Sequence, residues 1–248
     1  MKKLGLIEKI KIRLKPRYTE FTTNCLGFPI KAIDKSSFLY MHQEIMVNEI
    51  YDFNPVNNDN ITIIDAGANI GLATIFFKKR YPKSQVIAFE PDPEIFETLK
   101  YNILSGNFKD VTLIQKGLAK NSGHYSFKPD KSDGGRMSNT GEKAMPIETT
   151  VLSSYLNQPI DFLKIDIEGQ EVEVLEECSH LLCNVQNLFV EYHSFVDSDQ
   201  KLDTIISILH RNGFRYYIQS VPEQIKPFCE KRSYNGMDLQ LNIYAYRT

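Results

Sequence analysis

Residues 61–93 read ITIIDAGANIGLATIFFKKRYPKSQVIAFEPDP, and their pattern decides the fold. An apolar run, Ile61 to Ile64, stops at Asp65, and a loop carrying Gly67, Asn69 and Gly71 follows. Helix-competent sequence then leads to a second apolar run, Val86 to Phe89, which stops at Glu90. This is a β-α-β unit with an acid at the carboxyl end of each strand, where ligands bind in open α/β sheets. The separation of Gly67 from Glu90 suits a nucleoside-binding unit whose second acid accepts hydrogen bonds from ribose hydroxyls.

The loop narrows the choice of nucleoside. A dinucleotide site shows G-x-G-x-x-G, which lets backbone amides and a helix N-terminus approach a pyrophosphate. Here the loop is D-A-G-A-N-I-G, with Asp65 opening it and Asn69 where a second glycine would stand. An anionic Asp suits a diphosphate poorly and a cationic ligand well. S-adenosylmethionine carries a sulfonium, an ammonium and a ribose, and no phosphate. Asn69 remains compatible with a tight loop because Asn tolerates left-handed backbone angles. An ordinary strand-helix turn is the plain alternative; loop and second acid together at this separation favour the cofactor. The same loop disfavours a nicotinamide dehydrogenase.

Outward from this unit the chain alternates strand and helix. A helix is expected from about Pro93 to Ser105, with Pro93 favourable in its first turn, and a strand at Val111 to Gln115. His124 to Phe127 and Met145 to Thr150 read as a hairpin around the polar, glycine-rich Lys128 to Lys143, within which Asp133 to Gly141 is a candidate lid. A short helix at Val151 to Leu156, a strand at Asp161 to Asp166, a helix at Gln170 to Leu182 and a strand at Asn187 to Tyr192 follow. A helix at Leu202 to Arg211 and strands at Phe214 to Gln219 and Leu239 to Tyr246 complete the set. The alternation predicts an α/β fold with a doubly wound, mostly parallel, seven-stranded sheet. Upstream lie an irregular segment to Ile33, a helix over Ser36 to Tyr51 and the turn FNPVNNDN. Residues 1–58 are thus read as an N-terminal arm and helical cap, and residues 59–248 as the cofactor-binding domain.

A second constellation lies at Asp161 to Glu171, DFLKIDIEGQE. Alternation puts Lys164, Asp166 and Glu168 toward one side, and a central parallel strand has little reason to end in three charges for packing alone. LFVEYHSF similarly places Glu191 and His193 two apart on one side. In a doubly wound sheet both strand ends adjoin the strand ending at Asp65. Clustered acids with a histidine suit general base catalysis, since His titrates near neutrality and a carboxylate can orient it. The plainer alternative is that Lys164 pairs with an acid and the others cap helices. The remaining histidines lack comparable company.

Composition is that of a globular protein: 248 residues, 42% hydrophobic, 24% charged, with 29 Lys and Arg against 31 Asp and Glu. That balance demands no nucleic-acid partner. The four scattered cysteines lack metal-ligand spacing and read as reduced thiols of a cytosolic protein. No apolar run approaches a membrane span. The first 17 residues hold seven Lys or Arg and one acid, Glu8. They read as a frayed arm, although Ile7, Ile10 and Leu14 at helical spacing also allow a short basic amphipathic helix resting on an anionic membrane surface.

With these residues in view, the chain resembles the FkbM family of S-adenosylmethionine-dependent methyltransferases. The resemblance rests on IIDAGANIG (Ile63 to Gly71), FEPDP (Phe89 to Pro93), DFLKIDIEGQE, VEYH (Val190 to His193) and LNIYAYR (Leu241 to Arg247), with KIDIEG the most specific. It spans about Glu44 to the C-terminus. It implies that Asp65, Gly67, Asn69 and Gly71 form the methionine-side loop, that Glu90 with neighbouring Pro91 holds the ribose, and that Lys116 to Leu118, including Gly117, lie near adenine. It also implies O-methylation, commonly of sugars or natural products. The expected enzyme is therefore a cytosolic O-methyltransferase acting on a small-molecule or saccharide acceptor, without a resident metal. His193 is the expected general base, with Asp166 or Glu168 positioning it or the acceptor. The rivals are a divalent-metal-assisted enzyme using Asp166, Glu168 and Glu191, and a non-catalytic S-adenosylmethionine-binding module.

Overall fold

The computed structural model describes residues 4–57, 59–128, 136–137, 144–221, 226, 228–229, 233 and 236–248. Helix α1 (Leu6–Arg13) comes first. Two three-residue strands, β1 (Phe21–Thr23) and β2 (Ile30–Ala32), then pair antiparallel in the segment expected to be irregular. Strands this short carry too little alternation to be read from pattern. Helix α2 (Lys35–Met41) starts on Asp34, whose carboxylate accepts from the amides of Ser36 and Ser37. The single expected helix through Tyr51 instead widens into a π-helical turn, His42–Val47. The amide of Asn48 reaches the carbonyl of Gln43, and the Asn48 side chain bridges Gln43 and Glu44.

The core follows the expected alternation: β3 (Thr62–Ala66), α3 (Leu72–Arg80), β4 (Gln85–Phe89), α4 (Pro93–Ser105) and β5 (Val111–Ile114). Pro93 opens α4 behind Asp92, which caps the amides of Glu94 and Ile95. Four strands then form a separate small sheet: β6 (Gly117–Leu118), β7 (Gly123–Lys128), β8 (Arg136–Met137) and β9 (Met145–Thr150). The expected hairpin pairing of β7 with β9 is present. The rest of the candidate lid, residues 133–135 and 138–141, lies outside the described residues, as does the expected boundary residue 58. The chain continues through β10 (Ile160–Ile165), α5 (Glu171–Cys178), β11 (Val185–Phe195), α6 (Leu202–Arg211), β12 (Arg215–Ser220) and β13 (Met237–Tyr246).

The seven-stranded sheet runs β12-β13-β11-β10-β3-β4-β5, parallel from β11 to β5, with β13 antiparallel to both its neighbours. Strand order reverses between β3 and β10, and a crevice forms at the carboxyl ends at such a switch point. The two sheet faces carry separate cores because successive side chains alternate. Ile63, Val86, Phe162 and Phe189 pack with α3, α4 and the N-terminal segment through Ile12, Phe38 and Met46. Ile64, Leu163, Leu188 and Ile243 pack with α5 and α6.

Candidate active site

Gly67 (φ +85°) is where the loop after β3 passes β10: a Cβ there would lie 1.7 Å from the carbonyl oxygen of Asp166. Only glycine permits that approach. Asn69 takes the left-handed angle expected of it, with φ +49°. The five amides from Gly67 to Gly71 are all engaged within the fold. Gly67 and Ala68 donate to Phe89 O, Asn69 to Glu90 Oε2, Ile70 to its neighbour Asn69 Oδ1, and Gly71 to Ala68 O. A pyrophosphate needs such donors free. This loop withholds them, so the cleft is not a dinucleotide cradle.

Glu90 is buried (6% exposed) and lines the cleft. Burial pushes its carboxyl up to about 8, against the pull of the Asp92 and Asn69 amides that donate to its two oxygens. Each oxygen retains acceptor capacity for a hydroxyl. Gly67, Asn69, Pro91 and Gly117 line the same cleft, and Gly71 starts α3 behind the loop. Asp65 departs from expectation. It has no exposed surface and does not line the cleft; its Oδ2 accepts from Thr74 Oγ1 and its Oδ1 lies 3.4 Å from Lys164 Nζ. An isolated carboxylate in this position would be costly, and Lys164 and Thr74 partner it in place of a ligand.

Lys164 ties the two halves of the cleft together. Its buried Nζ donates to Gly67 O at 2.8 Å and lies 3.1 Å from Asp166 Oδ2. Burial lowers its pKa, but the charges of Asp166 and Asp65 outweigh this and raise it. Pairing of Lys164 with acids was the plainer reading of KIDIEG, and it is what the strand does here. Asp166 and Glu168 still face the cleft, Glu168 in a left-handed conformation (φ +54°) that a non-glycine residue adopts under constraint.

His193 also departs from expectation. It is not a cleft residue: its side chain is buried behind Glu168 and Glu191. Nδ1 meets Glu171 Oε1 at 2.9 Å, while Nε2 lies 3.8 Å from Glu168 Oε2 and 3.9 Å from Glu191 Oε1. Burial disfavours the imidazolium, but Glu168 and Glu171 raise its pKa well above the usual value. Enclosed by three carboxyls and turned from the cleft, the imidazole serves as a counter-ion rather than a base. Four carboxyls (Asp166, Glu168, Glu171 and Glu191) surround two cations here, so the acids compete for neutralisation. Burial and this repulsion raise Glu168 well above the carboxylate range and bring Glu191 to about 7. Gln240 on β13 donates to Glu191.

A family model described as the methyltransferase FkbM domain matches residues 65–216. The chain belongs to the FkbM methyltransferase family. It is an S-adenosylmethionine-dependent methyltransferase. Methyltransferase 1 of Beauveria bassiana (strain ARSEF 2860) is 27% identical over 246 residues, covering 87% of this chain and 92% of the relative. The hexuronic acid methyltransferase AglP of Haloferax volcanii is 33% identical over 163 residues, 60% of this chain and 66% of the relative. The solved structure of M. jannaschii TYW2 in complex with AdoMet has a TM-score of 0.50 at 16% identity, over 95% of this chain and 90% of that one, and so shares the fold.

Several residues of this FkbM methyltransferase's cleft carry no functional signal in the sequence. Tyr40 and Glu44 come from α2 and the π-helical turn, Tyr51 from just beyond it, and Gln240 and Asn242 from β13. Glu171 could have been suspected from its place just after Gly169, where it accepts the amides of Ile167 and Gly169. The others belong to elements distant in sequence: Gln240 and Asn242 are brought in by the antiparallel register that sets His193 opposite Gln240 and Glu191 opposite Asn242, and Tyr40, Glu44 and Tyr51 by packing of the N-terminal segment on the sheet.

Proposed function

We propose that this methyltransferase methylates a hydroxyl of a neutral or amine-bearing saccharide, with Glu191 as general base. Bound S-adenosylmethionine would supply the electrophilic methyl, held by the loop residues Gly67 and Asn69, by Glu90 and Pro91 at the ribose, and by Gly117, with Gly71 shaping the loop from behind. The observation that carries the reading is Glu191: it lines the cleft and titrates near 7, where a base can be ionised yet still accept a proton. Glu191 takes the acceptor hydroxyl proton on its carboxylate. Gln240 holds that carboxylate, and His193, fixed by Glu171, acts as a positioning residue through its charge. Asp166 and Glu168 orient the acceptor, and alignment of acceptor with donor contributes a large part of the acceleration.

The saccharide part of the reading is supported by Tyr40 and Tyr51, which give apolar faces beside the hydrogen-bonding groups of Glu44, Gln240 and Asn242. It draws as well on AglP, whose name gives it a hexuronic acid substrate. The charge differs from what a uronate needs. Among the described residues the cleft presents Glu44, Glu90, Asp166, Glu168 and Glu191 against Lys116 and Lys164, and Lys164 is already paired. With Lys164 committed to Asp65 and Asp166, and Lys116 to Glu148, a uronate carboxylate meets no uncommitted cation among the described cleft residues. Methyl incorporation from labelled S-adenosylmethionine into neutral, amino and uronic saccharides tests this. Neutral and amino acceptors are expected to react, with rates rising as pH passes about 7. A preference for uronates, or a flat pH profile, overturns it.

One observation favours a metal-assisted version. Asp166, Glu191 and His193 each bring a ligand atom within 4.8 Å of the others. His193 also gives its Nδ1 to Glu171, as metal-bound histidines commonly do. Lys164 already supplies a cation beside Asp166, which places this reading second. Activity that survives exhaustive chelation eliminates it.

A further inference from the structure

Helix α1 turns its apolar side outward. At about 100° per residue, Leu6, Ile7, Ile10 and Leu14 occupy an arc of roughly 100°. They are 75%, 72%, 48% and 80% exposed, whereas Ile12, roughly opposite on the wheel, is 2% exposed and joins the core beside Phe38. Basic residues flank the apolar arc on both sides: Lys9 and Arg13 along one border, Lys11 along the other, with Lys15 just beyond. The one acid of the helix, Glu8, is turned toward the body, where it accepts from Thr23 Oγ1. The helix is anchored by Lys35 Nζ, which donates to Arg13 O at 2.9 Å.

A soluble helix is expected to place its apolar arc against the core. Here Ile12 is the one buried side chain of the helix, and four large apolar side chains face outward between cations. From this arrangement we propose that α1 is a docking surface for an anionic lipid bilayer, with Leu6, Ile7, Ile10 and Leu14 entering the interface and Lys9, Lys11, Arg13 and Lys15 meeting lipid phosphates and carboxylates. Charge complementarity selects this occupant over an apolar protein groove, because a rim of like-charged cations suits a surface of uniform negative charge. Binding places the cleft close to the membrane, since α1 packs on α2 and α2 contributes Tyr40 and Met41 to the cleft wall. The inference is independent of the acceptor's identity.

The test is co-sedimentation of the full chain with phosphatidylcholine vesicles, with and without phosphatidylserine. Binding is expected only with phosphatidylserine and is expected to weaken as salt rises. The double variant Ile7→Ser with Leu14→Ser, and the double variant Lys11→Glu with Lys15→Glu, are each expected to lower partitioning by roughly tenfold or more. All four side chains are exposed, so an unchanged unfolding temperature and unchanged S-adenosylmethionine affinity will show that the variants fold. Equal binding to neutral vesicles, or wild-type partitioning in the charge-reversed variant, overturns the proposal. So does a failure to bind any vesicle combined with a concentration-dependent dimer that Ile7→Ser with Leu14→Ser abolishes; the apolar arc is then a seam between two copies.

Discussion

At the ends of β3 and β4 the cleft wall is largely backbone: five consecutive amides close on one another, on Phe89 and on Glu90, and one carboxylate is presented to the ligand. At the ends of β10, β11 and β13 it is side chain: Asp166, Glu168 and Glu191 project over two buried cations, with Gln240 and Asn242 beside them. The first wall has little freedom of geometry, which suits a ligand that never varies. The second is a set of coupled acids whose charge depends on pH and on what binds, which suits chemistry and acceptor choice. Lys164 joins the two, touching Gly67 O on one side and Asp166 on the other.

The sharpest way to break this division is Glu191→Gln. It is expected to lower kcat by roughly 10²–10⁴-fold and to erase the rise in rate near pH 7, while the affinity for S-adenosylmethionine changes little. Turnover retained in Glu191→Gln but lost in Glu168→Gln would move the base to Glu168. Next comes the joint between the walls. Asp65→Ala leaves Lys164 short of a buried partner and is expected to cost about 3–5 kcal/mol of stability. At ~2–4 °C per kcal/mol for a chain of this size, thermal unfolding will show the loss plainly. An unchanged unfolding temperature, with binding alone weakened, would restore Asp65 as a direct ligand contact.

Glu90→Ala probes the first wall alone. Removing the acceptor of ribose hydroxyls is expected to weaken S-adenosylmethionine binding by roughly 10–100-fold in calorimetry, with kcat at saturating cofactor nearly intact. A kcat defect as large as that of Glu191→Gln would erase the distinction between the walls. The smallest effect concerns pH and stability. His193 has a folded pKa above its unfolded value, so its contribution is full below about pH 6.5 and is lost as pH rises through the folded value. Glu191, raised to about 7, adds a penalty in the same direction between about pH 4.5 and 7. Denaturant unfolding should therefore give a stability that falls as pH rises above about 6.5, and His193→Gln should flatten that slope. A slope unchanged in His193→Gln removes the histidine's role as buried counter-ion.

Much of this was legible in the residues. The apolar runs ending at Asp65 and Glu90, the start of α4 at Pro93 and the left-handed Asn69 follow from local chemistry, and local chemistry survives folding. The two departures at the site have a common cause. Period-two alternation tells which face of a strand a side chain takes but not how deep it lies, so Asp65 and His193 read as ligand-facing when both are buried behind the cleft. The amphipathic helix at Ile7, Ile10 and Leu14 is one of two readings of the arm, and its outward orientation is left open for a related reason. Spacing identifies an amphipathic helix, yet only packing shows whether its apolar side is covered.

The sequence by itself determined the strand-helix alternation, the position of the switch point and the kind of ligand loop, because these rest on backbone preferences and hydrophobic period. Only the tertiary structure decided that Lys164 neutralises Asp65, that Glu171 and two further glutamates enclose His193, and that Gln240 holds Glu191 in the cleft wall. Those outcomes depend on the parallel register of β3 with β10 and the antiparallel register of β11 with β13. The energy of a buried charge is set by neighbours that stand far along the chain, as Asp65 does from Lys164.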